Sequence, residues 1–155
     1  MRYQINLRID SALRGDVTPQ LIRAAARAAL DHESAPAPGA LTIALTDDDA
    51  LQRLNRDHLG HDHPTDVLSF PSGEIDPETG ARYFGDMAIS LPRAHAQAKA
   101  GGHPPSAEVQ LLVVHGVLHL LGHDHAKSKE KARMWAAQAE ILKRLKSSLA
   151  IPANP

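Results

Sequence analysis

Residues 106–125 read SAEVQLLVVHGVLHLLGHDH, and the fold of the chain is inferred outward from this stretch. From Ser106 to Leu121 the apolar residues lie nearly all the way round a helix rather than along one stripe. A helix of that kind is buried in the interior of a protein. We therefore predict that residues 106–121 form a core helix.

Three histidines at the end of this helix have the spacing of a metal site. His115 and His119 are four residues apart, so both imidazoles project from one helix face, about 5–6 Å apart at Cβ, where one ion can bridge them. Gly122 stands where a helix ends in a left-handed residue, which lets the chain turn and present His125 to the same point. Three neutral nitrogens with an open fourth position are typical of catalytic zinc. We predict one zinc ion held by His115, His119 and His125, with zinc-bound water as the reactive group.

The alternative is that these histidines are ordinary polar residues of a surface helix. The surrounding residues argue against it, because a buried imidazole without a partner costs a few kcal/mol of desolvation. Cysteine is absent from the chain, so any metal must be held by nitrogen and oxygen. Zinc is favoured over copper or nickel only by the precedent of three-imidazole hydrolytic sites.

Composition favours a single soluble domain. The 155 residues lie within the size range of one domain, and 43% hydrophobic residues are enough for one core. The net charge of −1 provides no overall basic field, so any RNA binding must be local. The N-terminus lacks the pattern of a signal peptide, and no run approaches the roughly 20 apolar residues of a membrane span. We expect a cytoplasmic protein.

Alternation and capping residues predict the remaining elements. Strands are expected at 3–9, 41–45, 67–70 and 82–90. Helices are expected from Pro19 to Leu30, over 47–58 with capping-box spacing at Thr46 and Asp49, over about 92–100, and over 127–149. Residues 61–66 are predicted to form a loop, and the Pro- and Gly-rich 71–81 a hairpin-like excursion.

The histidine spacing matches the metzincin pattern H-E-x-x-H-x-x-G-x-x-H except at one position. A protease of that class uses the glutamate after the first histidine to take a proton from water, and here that residue is Gly116. Peptide hydrolysis by this mechanism is therefore disfavoured.

Three blocks in order resemble the YbeY family of endoribonucleases. HGVLHLLGHDH is similar to the signature H-G-x-L-H-L-x-G-[YH]-D-H, and LNRDHLGHDHPTDVLSFP and FGDMAIS resemble the two other conserved blocks of the family. The resemblance implies one α/β (α+β) metal-dependent hydrolase domain over 1–155, with a small mixed four-stranded sheet, about five flanking helices and a metzincin-like zinc helix.

The same resemblance implies an activity. It points to a cytoplasmic, zinc-dependent, single-strand-specific endoribonuclease acting in 3′-end maturation of 16S ribosomal RNA and in ribosome quality control. Its partners would be small-subunit ribosomal RNA, the small subunit and assembly factors, with neither DNA nor a membrane involved.

The chain departs from the family at one functional position. Where the family places an aromatic residue and an arginine, this chain has His58 and Leu59. Arg56, three residues earlier on the same helix face, is a candidate phosphate contact, although a solvated helix charge is the ordinary interpretation. The departure keeps open a non-catalytic ribosome-assembly or RNA-binding factor with structural zinc. A metallohydrolase acting on peptides or small molecules is a third alternative.

Several polar residues have candidate roles that the sequence leaves open. The candidates for a general base are Asp124, His123, His63 and Asp66. Asp66 is expected either to hydrogen-bond the Nδ1 of a ligand histidine or to cap the turn after Pro64. Asp86, in an apolar strand, is expected to have a partner near the site or in the sheet. Lys127, Lys129, Lys131 and Arg133 either attract RNA or form an ordinary solvated helix face.

Overall fold

The computed structural model describes residues 2–147, which form one α/β domain of four strands and five helices. The strands are β1 (Tyr3–Ile9), β2 (Gly39–Thr46), β3 (Val67–Pro71) and β4 (Arg82–Ser90). The helices are α1 (Pro19–His32), α2 (Asp48–Leu59), α3 (Leu91–Gly101), α4 (Pro105–Leu120) and α5 (Ser128–Arg144). The fold class and the element order agree with the expectation. Among these helices, none combines the length and the apolar character that a membrane span requires.

The sheet is mixed, as expected. Its strand order is β1-β2-β4-β3, with β1, β2 and β4 parallel and β3 antiparallel to β4. The antiparallel pair is joined through residues 72–81, where Asp76 N donates to Ala81 O and Ile75 bridges to Arg82. The predicted hairpin-like excursion is confirmed. β1 and β3 are the two edge strands.

Alternation along the strands separates two apolar layers. Leu41, Ile43 and Leu45 of β2 belong to the main core with α1, α4 and α5. Ala44, between them, points to the opposite face, where a small cluster of Leu51, Leu68 and Ala88 packs under α2. Successive side chains of a strand point to opposite faces, which accounts for this division.

The main core surrounds α4. Ten of the sixteen residues of α4 are buried, including Val113, Val114, Val117 and Leu118 with no exposed surface. The predicted core helix is confirmed, and it places its C-terminal histidines against the sheet and α5.

Helix starts follow local capping chemistry. Thr18 Oγ1 accepts a hydrogen bond from Leu21 N at 3.2 Å, and Pro19 occupies the first turn of α1 as predicted. The capping prediction for α2 was wrong by one residue. Asp47, not Thr46, is the N-cap, and its carboxylate accepts from Ala50 N at 2.9 Å.

The last helix is shorter than predicted. It was expected over 127–149, but α5 ends at Arg144 with Leu145 as C-cap. The chain leaves the helix because Lys146 takes a left-handed conformation (φ 56°), and Ser147 N then donates to Leu142 O. Residues 148 and 149 lie outside the described part of the chain.

Candidate metal centre

The last turns of α4 supply the first two histidines of the site. His115 and His119 lie one turn apart on the face of α4 directed toward α5, and their ring centroids are 4.7 Å apart. The helix around them is buried while both imidazoles are half-buried. The buried backbone therefore fixes the positions of two side chains that still reach the surface.

The chain turns at Gly122 to bring in the third histidine. Gly122 has φ +101°, which L side chains rarely adopt, and its N–H donates to His119 O at 3.0 Å. His123 N donates to Leu118 O, so the carbonyls at the end of α4 are satisfied by the turn. This turn returns His125 toward α4, with its ring centroid 5.6 Å from His115 and 5.0 Å from His119.

The three imidazoles, called the metal triad below, can hold one metal ion. One nitrogen from each ring lies within 4.8 Å of the others, the spacing of atoms that surround a common ion. No other group of three metal-ligating side chains of this kind occurs in residues 2–147. The structure therefore brings together the three residues that the sequence singled out.

The electrostatics of the metal triad suit a metal ligand set. Burial lowers the pKa of His119 to about 4, and the neighbouring His115 and His125 add to the effect. Burial likewise lowers the pKa of His115, against the hydrogen bond that His115 donates to Gln138, which raises it. Both shifts favour the neutral imidazole, which is the form that binds a metal.

Two residues of α5 surround His115. Gln138 Oε1 accepts a hydrogen bond from His115 Nδ1 at 3.1 Å. Since an amide oxygen only accepts, the Nδ1 proton is fixed and Nε2 keeps its lone pair for a metal. The Trp135 ring lies 5.7 Å from His115 and 6.2 Å from His125, and its Nε1 is a buried donor without a hydrogen-bond partner among the described residues.

Gly116 is in close contact with the sheet. A Cβ there would lie 2.1 Å from Met87 Cε and 3.3 Å from Ser69 Oγ, and Ser69 Oγ already donates to the Gly116 carbonyl at 3.2 Å. Met87 is 1% exposed, so it has little room to move aside. A glutamate at this position would meet the sheet, which agrees with the absence of the metzincin base.

A second histidine cluster lies beside the first. Glu33, at the C-cap of α1, accepts hydrogen bonds from His123 Nε2 and from His32 Nδ1, the latter at 2.8 Å. Burial raises the pKa of Glu33, but the hydrogen bonds to His123 and His32 outweigh it and hold that pKa below its ordinary value. We call His32, Glu33 and His123 the Glu33 cluster. Because His123 is hydrogen-bonded to Glu33, it does not join the metal triad.

The four candidate bases are placed differently by the structure. Asp124 and Asp66 are near enough that their charges raise the pKa of His119 and His115 respectively, although burial lowers both. Asp124 Oδ1 accepts from His125 N at 2.7 Å. His63 is exposed and its Nδ1 contacts Pro64 O. Since His123 is held by Glu33, the candidate bases that remain close to the metal triad are the two carboxylates, Asp124 and Asp66.

Asp66 and Asp86 have other partners than the ligand histidines. Asp66 accepts from Val67 N at 2.8 Å, as a residue capping a turn does, and Gln97 Nε2 lies 3.4 Å from its other oxygen. Asp86 has the expected partner in the sheet, the Tyr83 hydroxyl at 2.5 Å. Its carboxylate is also exposed to solvent.

The basic candidates lie at the surface. Arg56 is exposed and its Nε lies 3.0 Å from Asp57 Oδ1, as an ordinary helix charge does. Leu59 is 52% exposed. The rings of His58 and Phe70 lie in an edge-to-face arrangement with their centroids 5.3 Å apart. The basic residues at 127, 129 and 133 are exposed and Lys131 is half-buried. Their contact with RNA stays a prediction.

Sequence reasoning missed Glu33, Gln138 and Trp135. Gln138 lies four residues after the buried Met134 and three before the buried Ile141. A polar residue on that apolar stripe was the available signal for a site. Glu33 had no such signal, because its partner His123 is 90 residues away.

Comparison with known proteins decides the family. The sequence model described as Endoribonuclease YbeY matches residues 5–146. The chain belongs to the YbeY endoribonuclease family. The resemblance carried by the three sequence blocks is thereby confirmed.

Relatives from several bacteria match most of the chain. A protein named endoribonuclease YbeY from Chloroflexus aurantiacus is 44% identical over 148 residues, covering 92% of this chain and 95% of the relative. A YbeY from Roseiflexus is 45% identical over 135 residues, covering 83% and 84%. The solution structure of TM1509 from Thermotoga maritima has a TM-score of 0.58 at 21% identity, covering 99% of this chain and 97% of that one. At that identity the likeness concerns the fold alone.

Proposed function

We propose that this protein is a zinc-dependent, single-strand-specific endoribonuclease that acts in the cytoplasm in 3′-end maturation of 16S ribosomal RNA and in ribosome quality control. Its proposed partners are small-subunit ribosomal RNA, the ribosomal small subunit and assembly factors. The observation that carries the proposal is the metal triad, three converging imidazoles in a chain whose relatives are named endoribonucleases.

The chemistry of the donor set favours zinc as the metal. Three imidazole nitrogens form the ligand set of catalytic zinc sites, and burial favours the neutral form of two of the rings. When bound, zinc acts as a Lewis acid that makes water a nucleophile near neutral pH and withdraws charge from a phosphate oxygen.

The protein's own residues orient this site. Gln138 holds the proton on His115 Nδ1, so the lone pair of Nε2 is directed away from α5. Asp124 holds the backbone N–H of His125 and so fixes the turn that carries the third ligand. The Trp135 ring of α5 lies beside the rings of His115 and His125.

A second candidate is an RNA-binding assembly factor in which the metal is structural. The observation that favours it is Leu59, which stands where the family has an arginine and leaves an exposed apolar side chain in place of a cation. The two candidates differ in whether the zinc-loaded protein cuts RNA or only binds it.

The deciding experiment compares cleavage of a labelled single-stranded RNA and of the same RNA in a duplex. Zinc-loaded wild type, chelator-treated wild type and His119→Ala are assayed, with metal content determined on each sample. His61→Ala, which removes an exposed histidine outside the metal triad, is the matched control.

We expect zinc-loaded wild type and His61→Ala to cut the single strand and spare the duplex, and the other two samples to cut neither. A wild type that holds one zinc and binds RNA without cutting it would overturn the nuclease proposal in favour of the assembly factor. Cleavage of a peptide library in place of RNA would support a metallohydrolase of another class.

A further inference from the structure

A cavity of about 450 Å³ lies beside the edge strand β1 and is lined by three arginines. Arg2 comes from the start of β1, and Arg23 and Arg27 come from one face of α1, four residues apart. Among the described residues no acidic side chain lines the cavity, whereas Gln4 and Thr79 add neutral hydrogen-bonding groups. The volume lies within the range of ligand pockets.

The charge of these arginines is not neutralised within the described residues. Arg8, Arg56 and Arg93 each pair with an aspartate at 3.0 Å, but none of the three cavity arginines forms an ion pair in residues 2–147. The whole chain has a net charge of −1, so three positive charges around one cavity are a local concentration. Mutual repulsion of the three cations is relieved when an anion binds between them.

Two of the guanidinium groups are held in place by the protein. Arg23 Nε donates to the Ile5 carbonyl at 3.2 Å, which leaves its other N–H groups for a ligand. The Arg2 guanidinium lies 5.5 Å from the centroid of the Tyr3 ring, as in a cation–π contact. Arginines ordered in this way bind phosphate oxygens through their planar guanidinium groups, with little further loss of side-chain entropy.

The cavity suits a backbone phosphate better than a nucleobase. The one ring in its described lining, Tyr3, is 3% exposed and donates its hydroxyl to Ala35 O, so residues 2–147 present no open aromatic face there on which a base could stack. Stacking platforms are what proteins use to bind unpaired bases. Arginines with neutral amide and hydroxyl groups are what they use to bind phosphates.

We propose that this cavity binds a phosphate of the RNA strand at a second point, away from the metal triad. α4 lies over β3 and β4, where Ser69 contacts Gly116, and β1 is at the other edge of the sheet. Three strand spacings of ~4.8 Å separate the two edges by about 14 Å, so the two sites hold different phosphates. The inference rests on the proposed function, because it takes RNA to be the substrate.

The test uses zinc-loaded, full-length protein and a labelled single-stranded RNA. The variant Arg2→Gln/Arg27→Gln removes two cavity cations and keeps the Arg23 bond to β1. The control Arg14→Gln/Lys99→Gln removes the same charge from exposed positions elsewhere. Thermal unfolding checks that both variants fold. The variant Arg27→Lys keeps the positive charge and tests whether charge alone is enough for binding.

KM and kcat are measured over a range of salt, and RNA affinity is measured by anisotropy on the same proteins. A contact away from the cut bond contributes equally to substrate and transition state, so we expect KM to rise on the order of tenfold at low salt with kcat unchanged. Each lost phosphate contact lowers the slope of log K against log salt by about 0.7. The control should show neither change.

The outcomes separate this inference from the proposed function. If wild type binds RNA without cutting it, the nuclease proposal fails, while the salt slope from anisotropy still tests the cavity. Equal affinity and slope in wild type and the cavity variant would overturn the cavity proposal alone. A second result would also overturn the cavity proposal. Inorganic phosphate or a mononucleotide would stabilise wild type but not the variant, while the two proteins bound RNA with equal affinity. The cavity would then bind a free phosphate ligand.

Discussion

Histidines occur in two contrasting settings that meet at one turn of this molecule. In the metal triad the imidazoles face one another, and no carboxylate side chain of residues 2–147 forms a hydrogen bond with their rings. In the Glu33 cluster two imidazoles share one carboxylate, with His123 13% and Glu33 19% exposed in their side chains. His123 and His125 belong to the same short turn, so the two settings meet in one segment.

This contrast indicates which histidines are available to bind a metal. A carboxylate already holds one ring nitrogen of each histidine in the Glu33 cluster, whereas burial favours the neutral, metal-binding imidazole at His115 and His119. The Glu33 cluster is satisfied internally and holds the turn, and the metal triad is left for an ion. Predictions that disturb one cluster and leave the other intact test this division.

The largest effect is expected from His119→Ala. Removing one ligand leaves two imidazoles, too few to retain zinc at the site. We expect kcat/KM for RNA to fall about a thousandfold or more, equivalent to ~4 kcal/mol at 1.36 kcal/mol per decade. Steady-state kinetics with metal analysis measures it. His32→Asn, in the Glu33 cluster, should keep its zinc, and zinc retention by His119→Ala would contradict the assignment.

An intermediate effect is expected from Gln138→Leu. The variant removes the acceptor that fixes the proton on His115 Nδ1, and losing such a partner weakens metal affinity about 10- to 100-fold. Competition with a chelating dye measures the affinity, and Trp135, the one tryptophan of the chain, reports binding by fluorescence. Gln138→Glu keeps an acceptor and should recover much of the affinity. Equal zinc affinity in Gln138→Leu and wild type would remove Gln138 from the site.

The smallest effect is expected from Glu33→Gln, and it should fall on stability rather than on metal binding. The amide still accepts one hydrogen bond, so we expect a loss of about 1 kcal/mol in the free energy of unfolding at pH 7. The measurement is denaturant unfolding of wild type and variant.

The pH dependence of this loss gives a second check. The pKa of Glu33 is held below its ordinary 4.5 in the folded protein, so its stabilising contribution is present above pH 4.5. It disappears as the pH falls through the lowered value. The stability difference between wild type and variant should therefore shrink in acid, and a difference that grew on acidification would show that Glu33 is not held as a carboxylate.

Local spacing made much of the molecule predictable. The metal triad lies within 11 residues, and a helical pair with a glycine turn fixes its geometry almost without the rest of the chain. The all-round apolar pattern of α4 identified the core helix for the same reason. Residues whose neighbours are set by secondary structure can be placed from sequence.

The remaining features depend on contacts between distant segments. Gln138 reaches His115 from another helix, and Glu33 reaches His123 across 90 residues, which no local pattern records. The end of α5 depends on the left-handed conformation of Lys146, which the residue type does not predict.

The most direct test of the account is a titration of metal-free protein with zinc, followed by the rate of single-stranded RNA cleavage at each step. If the metal triad holds the catalytic ion, the rate should rise linearly to one zinc per chain and then level off, with Trp135 fluorescence changing in parallel. A cleavage rate that did not depend on zinc occupancy, or that rose with no change at Trp135, would contradict it.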